Sequence, residues 1–143
     1  MLNSWNIIDD YLLCTIKSES HQSLGAINID IEVTFRLLNL DKYQAITLTR
    51  EVPGATYNNH PENDSFVGTV CLHENLHNLD DLNIFYVRQN IPLQDCDILI
   101  SVTSENGSMT VPTPMFVNKV LKHIDCQLTY FFEICTEKSL ETL

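Results

Sequence analysis

AINIDIEVTFRL, residues 26–37, alternates without a break: Ile27, Ile29, Ile31, Val33, Phe35 and Leu37 are apolar, and Asn28, Asp30, Glu32, Thr34 and Arg36 between them are polar. Successive side chains of a strand point to opposite faces, so a period of two predicts a strand with one face in the core and the other in water. Weaker alternation appears in AITLTREV (45–52), with Ile46, Leu48 and Val52 on one side, and in QLTYFFEIC (127–135), with Leu128, Tyr130, Phe132 and Ile134. Strands of this kind belong to an antiparallel sheet with one wet face.

Shorter β-rich runs lie at YLLCTIKS (11–18), FVGTVCLH (66–73), LNIFYVR (82–88) and CDILISVT (96–103). A helix is predicted in TPMFVNKVLKHID. Thr113 can cap it, Pro114 suits its first turn, and Phe116 or Met115, Val117, Val120, Leu121 and Ile124 recur at helical spacing. Lys119, Lys122 and His123 sit toward its negative end. A short N-terminal helix is expected from Ser4 to Leu12, with Trp5 and Ile8 on its inner side. Turn signals fall at Gly25, in PGATYNNHPENDS (53–65), in NLDD (78–81) and at Asn106-Gly107, a favoured hairpin pair. The expected fold is α+β: a mainly antiparallel, sandwich-like sheet of about seven strands with a helix in the C-terminal half and the short N-terminal one.

A length of 143 residues with 44% apolar content is in the range of one domain, 1–143, with a substantial core. Lys and Arg number 8 against 19 Asp and Glu, a net charge of −11, which repels phosphate backbones and argues against direct nucleic-acid binding. The same surplus favours attraction to a basic protein surface. No apolar run approaches the roughly 20 residues that span a bilayer, and MLNSWNIIDDYLLC carries Asp9 and Asp10 where a leader would be basic, so no membrane association and a cytoplasmic location are expected. Cys14, Cys71, Cys96, Cys126 and Cys135 are odd in number and lack any C-x-x-C pair; they are expected as reduced, mostly buried thiols.

The stretch His73-Glu74-Asn75-Leu76-His77 fits the zinc-protease pattern H-E-x-x-H. That chemistry needs a sustained helix, so that both imidazoles face one ion and the carboxylate polarises its water. FVGTVCL before the stretch is rich in β-branched residues and NLDD after it reads as a turn; the extended pattern's later Gly and ligand positions hold Asp80 and Asn83. Asp97 stands at a suitable distance for an acidic third ligand but opens an apolar strand run. The expectation is therefore a strand-ending His73 and a loop His77, with no metal and no cofactor. Cys71 and His73, two apart on one strand, raise a nucleophile–base pair that packing explains more simply. Asp9-Asp10 and Asp80-Asp81 read as solvated acids of turns or helix starts, and four glycines give little material for a phosphate cradle. Trp5, and Tyr57 and His60 in the longest polar loop, are the candidate interaction residues.

As an ordered pattern, LLNLDKYQAITLTREVPGATYNNH (37–60), FVGTVCLH (66–73) and CDILISVTSENGSMTVPTP (96–114), with the helix and His123-Ile124-Asp125 after it, resemble the RsaM-like family of bacterial quorum-sensing regulators. Gly54 and Gly68 are the single-residue matches; Tyr57-Asn58 and Thr69-Val70 stand where the family carries tryptophan-bearing elements. The resemblance implies a dimeric, non-enzymatic cytoplasmic protein that damps acyl-homoserine-lactone signalling without a DNA-binding motif of its own. An acidic regulator could act through a protein partner, such as the basic DNA-binding part of a transcription factor, or through a small apolar signal. The alternatives are an immunity or antitoxin-type protein that neutralises a basic partner, and a zinc hydrolase using His73, Glu74 and His77.

Overall fold

The structure is a computed structural model that describes residues 28–105 and 107–135. Strand β1 (Ile29–Leu40) realises the alternating stretch, followed by α1 (Lys42–Glu51), β2 (Ala55–Asn59), β3 (Phe66–Cys71), α2 (Leu79–Arg88), a 3-10 turn at Leu93–Asp95, β4 (Cys96–Ser104), α3 (Met115–His123) and β5 (Gln127–Ile134). The sheet runs β2-β3-β1-β4-β5. All its pairings are antiparallel except β4 with β5, which is parallel and bridged by α3.

The registers sort the sheet into two faces. Phe35 lies opposite Val70 and Ile98, Val33 opposite Ile100, and Leu37 opposite Gly68 and Cys96. These residues share one buried cluster with Ala45 and Leu48 of α1, Leu79, Leu82 and Phe85 of α2, and Val117 and Val120 of α3. The three helices therefore cover one face. Residues of the opposite parity, Glu32, Thr34 and Arg36 of β1, Thr69 of β3 and Asp97 of β4, line the other.

Between Leu37, opposite Gly68, and Leu40, opposite Phe66, β1 holds one residue more than its partner. This β-bulge returns Leu40 to the core face, where Leu37 and Leu40 are both fully buried. A Cβ on Gly68 would meet Leu48 Cδ2 at 2.4 Å and Leu40 Cδ1 at 2.9 Å, so a side chain at residue 68 would force these two buried leucine ends to shift. Gly54, at φ +78°, makes the turn from α1 into β2, a conformation that costs other residues more. Asn78, nearly fully buried, donates its side-chain amide to the carbonyls of Cys71 (3.1 Å) and Pro53 (3.3 Å), tying the entrance of α2 to the ends of β3 and α1.

Several expectations are corrected. The described residues hold five strands and three helices on one side, not about seven strands in a sandwich with a single helix. AITLTREV lies in α1: Asp41 Oδ1 accepts from Gln44 N (2.7 Å) while Gln44 Oε1 accepts from Asp41 N (3.0 Å), a capping box that starts a helix ahead of the alternating residues. LNIFYVR lies in α2, where Leu79, Leu82 and Phe85 recur every third residue and are buried. Part of the expected loop 53–65 is strand β2. Strand β4 does not return as a hairpin after Gly107; it leads through α3 to a parallel neighbour. Thr113 does not cap α3, because its hydroxyl bonds Tyr130 Oη at 2.9 Å. The run 11–18, the Ser4–Leu12 helix and Asn106 lie outside the described residues.

Placing a side chain at Gly68 should overpack this contact. Gly68→Val is expected to lower unfolding free energy by about 1–3 kcal/mol, and Asp41→Ala by about 1 kcal/mol through loss of the cap. Urea denaturation checks both; a Gly68→Val protein as stable as the parent would contradict this seating of α1.

Candidate functional site

The H-E-x-x-H stretch lies on the turn between β3 and α2. β3 stops at Cys71, Glu74 and Asn75 form a turn, and α2 begins at Leu79. Leu76 has φ +48°, a left-handed conformation that breaks any helix there, and its N–H closes the turn onto the His73 carbonyl at 3.0 Å. The two imidazoles come together all the same, with centroids 5.6 Å apart and planes 10° from parallel. Ring-nitrogen lone pairs lie in the ring plane, so stacked rings do not converge on an ion that must sit about 2.0–2.1 Å from both nitrogens. His77 Nδ1 is engaged with Asn75 Oδ1 at 3.0 Å, whereas His73 Nδ1 is buried without a partner. Burial, and then the neighbouring His77, hold the His73 pKa below its ordinary value. No group of three or more metal-ligating side chains occurs among the described residues. His77 lies in the turn before α2 as expected, while His73, expected to end the strand, stands two residues past the end of β3; the arrangement is not that of a zinc-protease helix.

On the helix-free face, Arg36 grips Asp97 through two hydrogen bonds, Nε to Oδ1 at 2.8 Å and a terminal nitrogen to Oδ2 at 2.5 Å. Thr129 donates its hydroxyl to the same Oδ2 at 2.7 Å. Asp97 is almost wholly buried, so this bidentate pair and hydroxyl satisfy a carboxylate that could not stand there alone. The network joins β1, β4 and β5 side by side. Thr56 and Thr69 share a 2.7 Å hydrogen bond across β2 and β3 on the same face. Neither pairing was evident from the sequence, although Arg36 stands in the polar series of β1 and Asp97 opens β4.

The cysteines depart from expectation at one position: Cys71 is disulfide-bonded, while Cys96, Cys126 and Cys135 are free thiols. The Cys71 sulfur lies 3.9 Å from a Glu32 carboxylate oxygen. A disulfide sulfur has no proton to give that oxygen and is no nucleophile, and His73 lies beyond the end of the strand that carries it. The Glu32 pKa is raised by burial and then by Asp30. Burial, with Cys126, Asp95 and Asp97 nearby, pushes the Cys96 thiol up to about 12; burial, with Asp97 and Asp125, pushes Cys126 up to about 11. Both are protonated near neutral pH and unsuited to nucleophilic work.

Tyr57 is a strand residue, not a loop residue. It packs against the core and meets Phe66 edge to face at 5.6 Å. His60 follows β2 at the mouth of the 60–65 loop, where its N–H bonds the Ser65 carbonyl (2.8 Å) and its Nδ1 accepts from Glu62 N (3.1 Å). Trp5 lies outside the described residues.

The feature that composition did not locate is on β5. Tyr130 (47% exposed), Phe131 (43%), Phe132 (65%) and Ile134 (53%) stand in one short segment at an edge of the sheet. The Tyr130 and Phe132 rings stack with centroids 6.1 Å apart. Met115, 82% exposed, begins the helix that leads to this strand. Tyr130 and Phe132 share the parity of the core residues Ile100 and Val102 opposite them on β4, whereas Phe131, opposite Ser101, lies on the other face with Thr129.

Two measurements check the electrostatics and the sulfur chemistry. The folded chain disfavours protonated His73 and the unfolded chain does not, so the unfolded state gains more protons as pH falls below about 6.5 and stability is lost there. The thermal midpoint is expected to drop more between pH 7 and pH 5 in the parent than in His73→Gln, with His77→Gln in between. Glu32, with its raised pKa, contributes the opposite slope as pH rises from 4.5, and this is common to all three proteins. Alkylation of the unreduced, denatured protein is expected to label three of the five cysteines, since the disulfide removes two; five labelled would contradict it. The chain matches no family model, and no curated protein or solved structure matches it.

Proposed function

We propose that the protein is a non-enzymatic regulator that works by protein contact, a negative modulator of an acyl-homoserine-lactone circuit. The observation that carries the contact reading is the exposed group Tyr130, Phe131, Phe132 and Ile134 on a chain of net charge −11. Aromatic side chains supply contact energy, and the surrounding acids steer a basic partner toward them. A small apolar signal is the other ligand that this surface suits. The circuit itself is proposed on the resemblance of residues 37–60, 66–73 and 96–114 to the RsaM-like family. Those segments fall on α1 and β2, on β3, and on β4 with the approach to α3. The two matching glycines, Gly54 and Gly68, have turn and packing reasons of their own, so they support a likeness of fold more than one of activity.

The acidic excess also suits the immunity or antitoxin reading, in which a basic toxin is the partner. A toxin gene beside this one favours that reading; a lactone synthase gene favours the first. No helix among the described residues is long and apolar enough to cross a membrane. A cytoplasmic place is part of the proposal, and the disulfide at Cys71 weighs against it, because disulfides persist mainly in oxidising compartments.

Deletion of the gene is expected to raise lactone accumulation and synthase transcription, and complementation with the parent chain to restore both. Unchanged lactone and unchanged transcription in the deletion strain would remove the quorum-sensing reading.

A further inference from the structure

We infer that β5 is the interface of a symmetric dimer, in which two copies of this chain pair their β5 strands antiparallel about a two-fold axis at Phe131 and join their sheets into one. The inference rests on the geometry of this edge strand and does not need the lactone circuit to hold; it gives the β5 group to a second copy, which would compete there with the partner of the regulatory proposal.

The argument starts from what protects a sheet edge. Edge strands are commonly short, charged, bulged or broken by proline, because unpaired main-chain groups recruit other strands. The edge at β2 is of that protected kind: five residues, ATYNN, closely following Pro53. β5 has none of these devices. Its eight residues, QLTYFFEI, include one charge and no proline or glycine, and pair with β4 in unbroken register.

The direction of its free groups follows from one hydrogen bond. Cys135 N donates to Ser104 O at 2.8 Å, so odd-numbered residues along β5 turn their main-chain groups toward β4. The even-numbered residues, Leu128, Tyr130, Phe132 and Ile134, present N–H and C=O at an edge that no other strand among the described residues covers. Antiparallel pairing must match even with even. With the axis at Phe131, Tyr130 faces Phe132 of the second copy, and Leu128 faces its Ile134. All four outward-facing residues of each strand are then used, and Phe131 meets Phe131 on the other face of the sheet. An axis at Tyr130 would leave Ile134 past the end of the second β5, and one at Phe132 would leave Leu128 past it.

Charge selects the same register. Two copies of net charge −11 repel overall, so a contact is least opposed where charge is sparse, and β5 carries one charge in eight residues. With the axis at Phe131 each Glu133 lies opposite Thr129, and the two carboxylates are kept about four strand positions, roughly 14 Å, apart. An axis at Glu133 would set them face to face. The rings and aliphatic groups exposed on β5 amount to about 400 Å² per copy, taking 150–250 Å² for a whole aromatic side chain. Two copies thus bury on the order of 800 Å², the size of a weak, reversible interface. The dimer is expected to form as concentration rises toward hundreds of micromolar and to dissociate on dilution.

The test uses the purified full chain. Sedimentation equilibrium from micromolar to hundred-micromolar concentration is expected to show a monomer–dimer equilibrium, and Phe132→Lys to weaken it at least about tenfold. Residue 132 is already 65% exposed, and far-UV circular dichroism with a thermal melt confirms that the variant folds. In a Cys135→Ser background, Phe131→Cys is expected to cross-link copy to copy under mild oxidation, because residues on the axis face each other at about 4.5–5.5 Å between Cβ atoms. Thr129→Cys in the same background is expected not to. A single-chain mass throughout, a dimer indifferent to Phe132→Lys, or residue-131 cysteines that do not cross-link would each overturn the inference. The first of these would leave the edge to a strand of another protein. Because mass and cross-linking are read on the isolated chain, a deletion strain with normal lactone levels refutes the regulatory proposal and leaves this one standing.

Discussion

Strand β1 sets its apolar residues on one face and its polar residues on the other, and the architecture follows from that. Its odd-numbered residues from Ile31 to Leu37 are apolar and enter the core, while Glu32, Thr34 and Arg36 cannot. The neighbouring strands continue the division, with Val70, Ile98 and Ile100 on the apolar side and Thr69 and Asp97 on the polar side. Helices α1, α2 and α3, each with an apolar stripe to bury, are thereby confined to one layer. Gly68 lets that layer come close, since Leu48 and Leu40 occupy the space its side chain would fill.

The polar face does structural work of its own. Asp97 takes two hydrogen bonds from Arg36 and one from Thr129, so a central strand, its neighbour and the edge strand share one buried anion. Such a network contributes more to which strands lie side by side than to net stability, because desolvating both charges offsets much of their attraction. Its consequence for β5 is direct. The strand is held against β4 from one side and covered on neither Tyr130 nor Phe132, which makes it an ordered edge with apolar side chains in water. An ordered edge needs little further loss of conformational entropy to accept another strand.

Sequence patterning made β1, β3, β4, β5 and α3 legible because each carries its own period or flanking signal. It misassigned 45–52 and 82–88 because short windows with β-branched residues satisfy two periods at once. Ile46, Leu48 and Val52 alternate, but Ala45, Leu48 and Val52 are the residues fully buried, at helical spacing. In α2, Ile84 and Val87 look like strand core and are exposed, while Leu82 and Phe85 are buried. β2 was hidden because ATYNN has little strand character and forms through its pairing with β3. The parallel pairing of β5 was readable in principle from the strand–helix–strand order. Of the candidate site, the turn at His73–His77 was legible from flanking residues. The stacking of its two rings, the disulfide at Cys71 and the exposure of Phe131 depend on tertiary placement and were not.

The central claim is that the even-numbered residues of β5 form an open edge that a second copy closes. Residue-resolved amide hydrogen exchange, recorded at low and high protein concentration, measures this most directly. The account predicts that the amides of Leu128, Tyr130, Phe132 and Ile134 exchange fast in dilute protein and slow as concentration rises, while those of Thr129, Phe131 and Glu133, bonded to β4, are protected throughout. Equal protection of both sets in dilute protein, or exchange at Tyr130 and Phe132 that does not change with concentration, would contradict it.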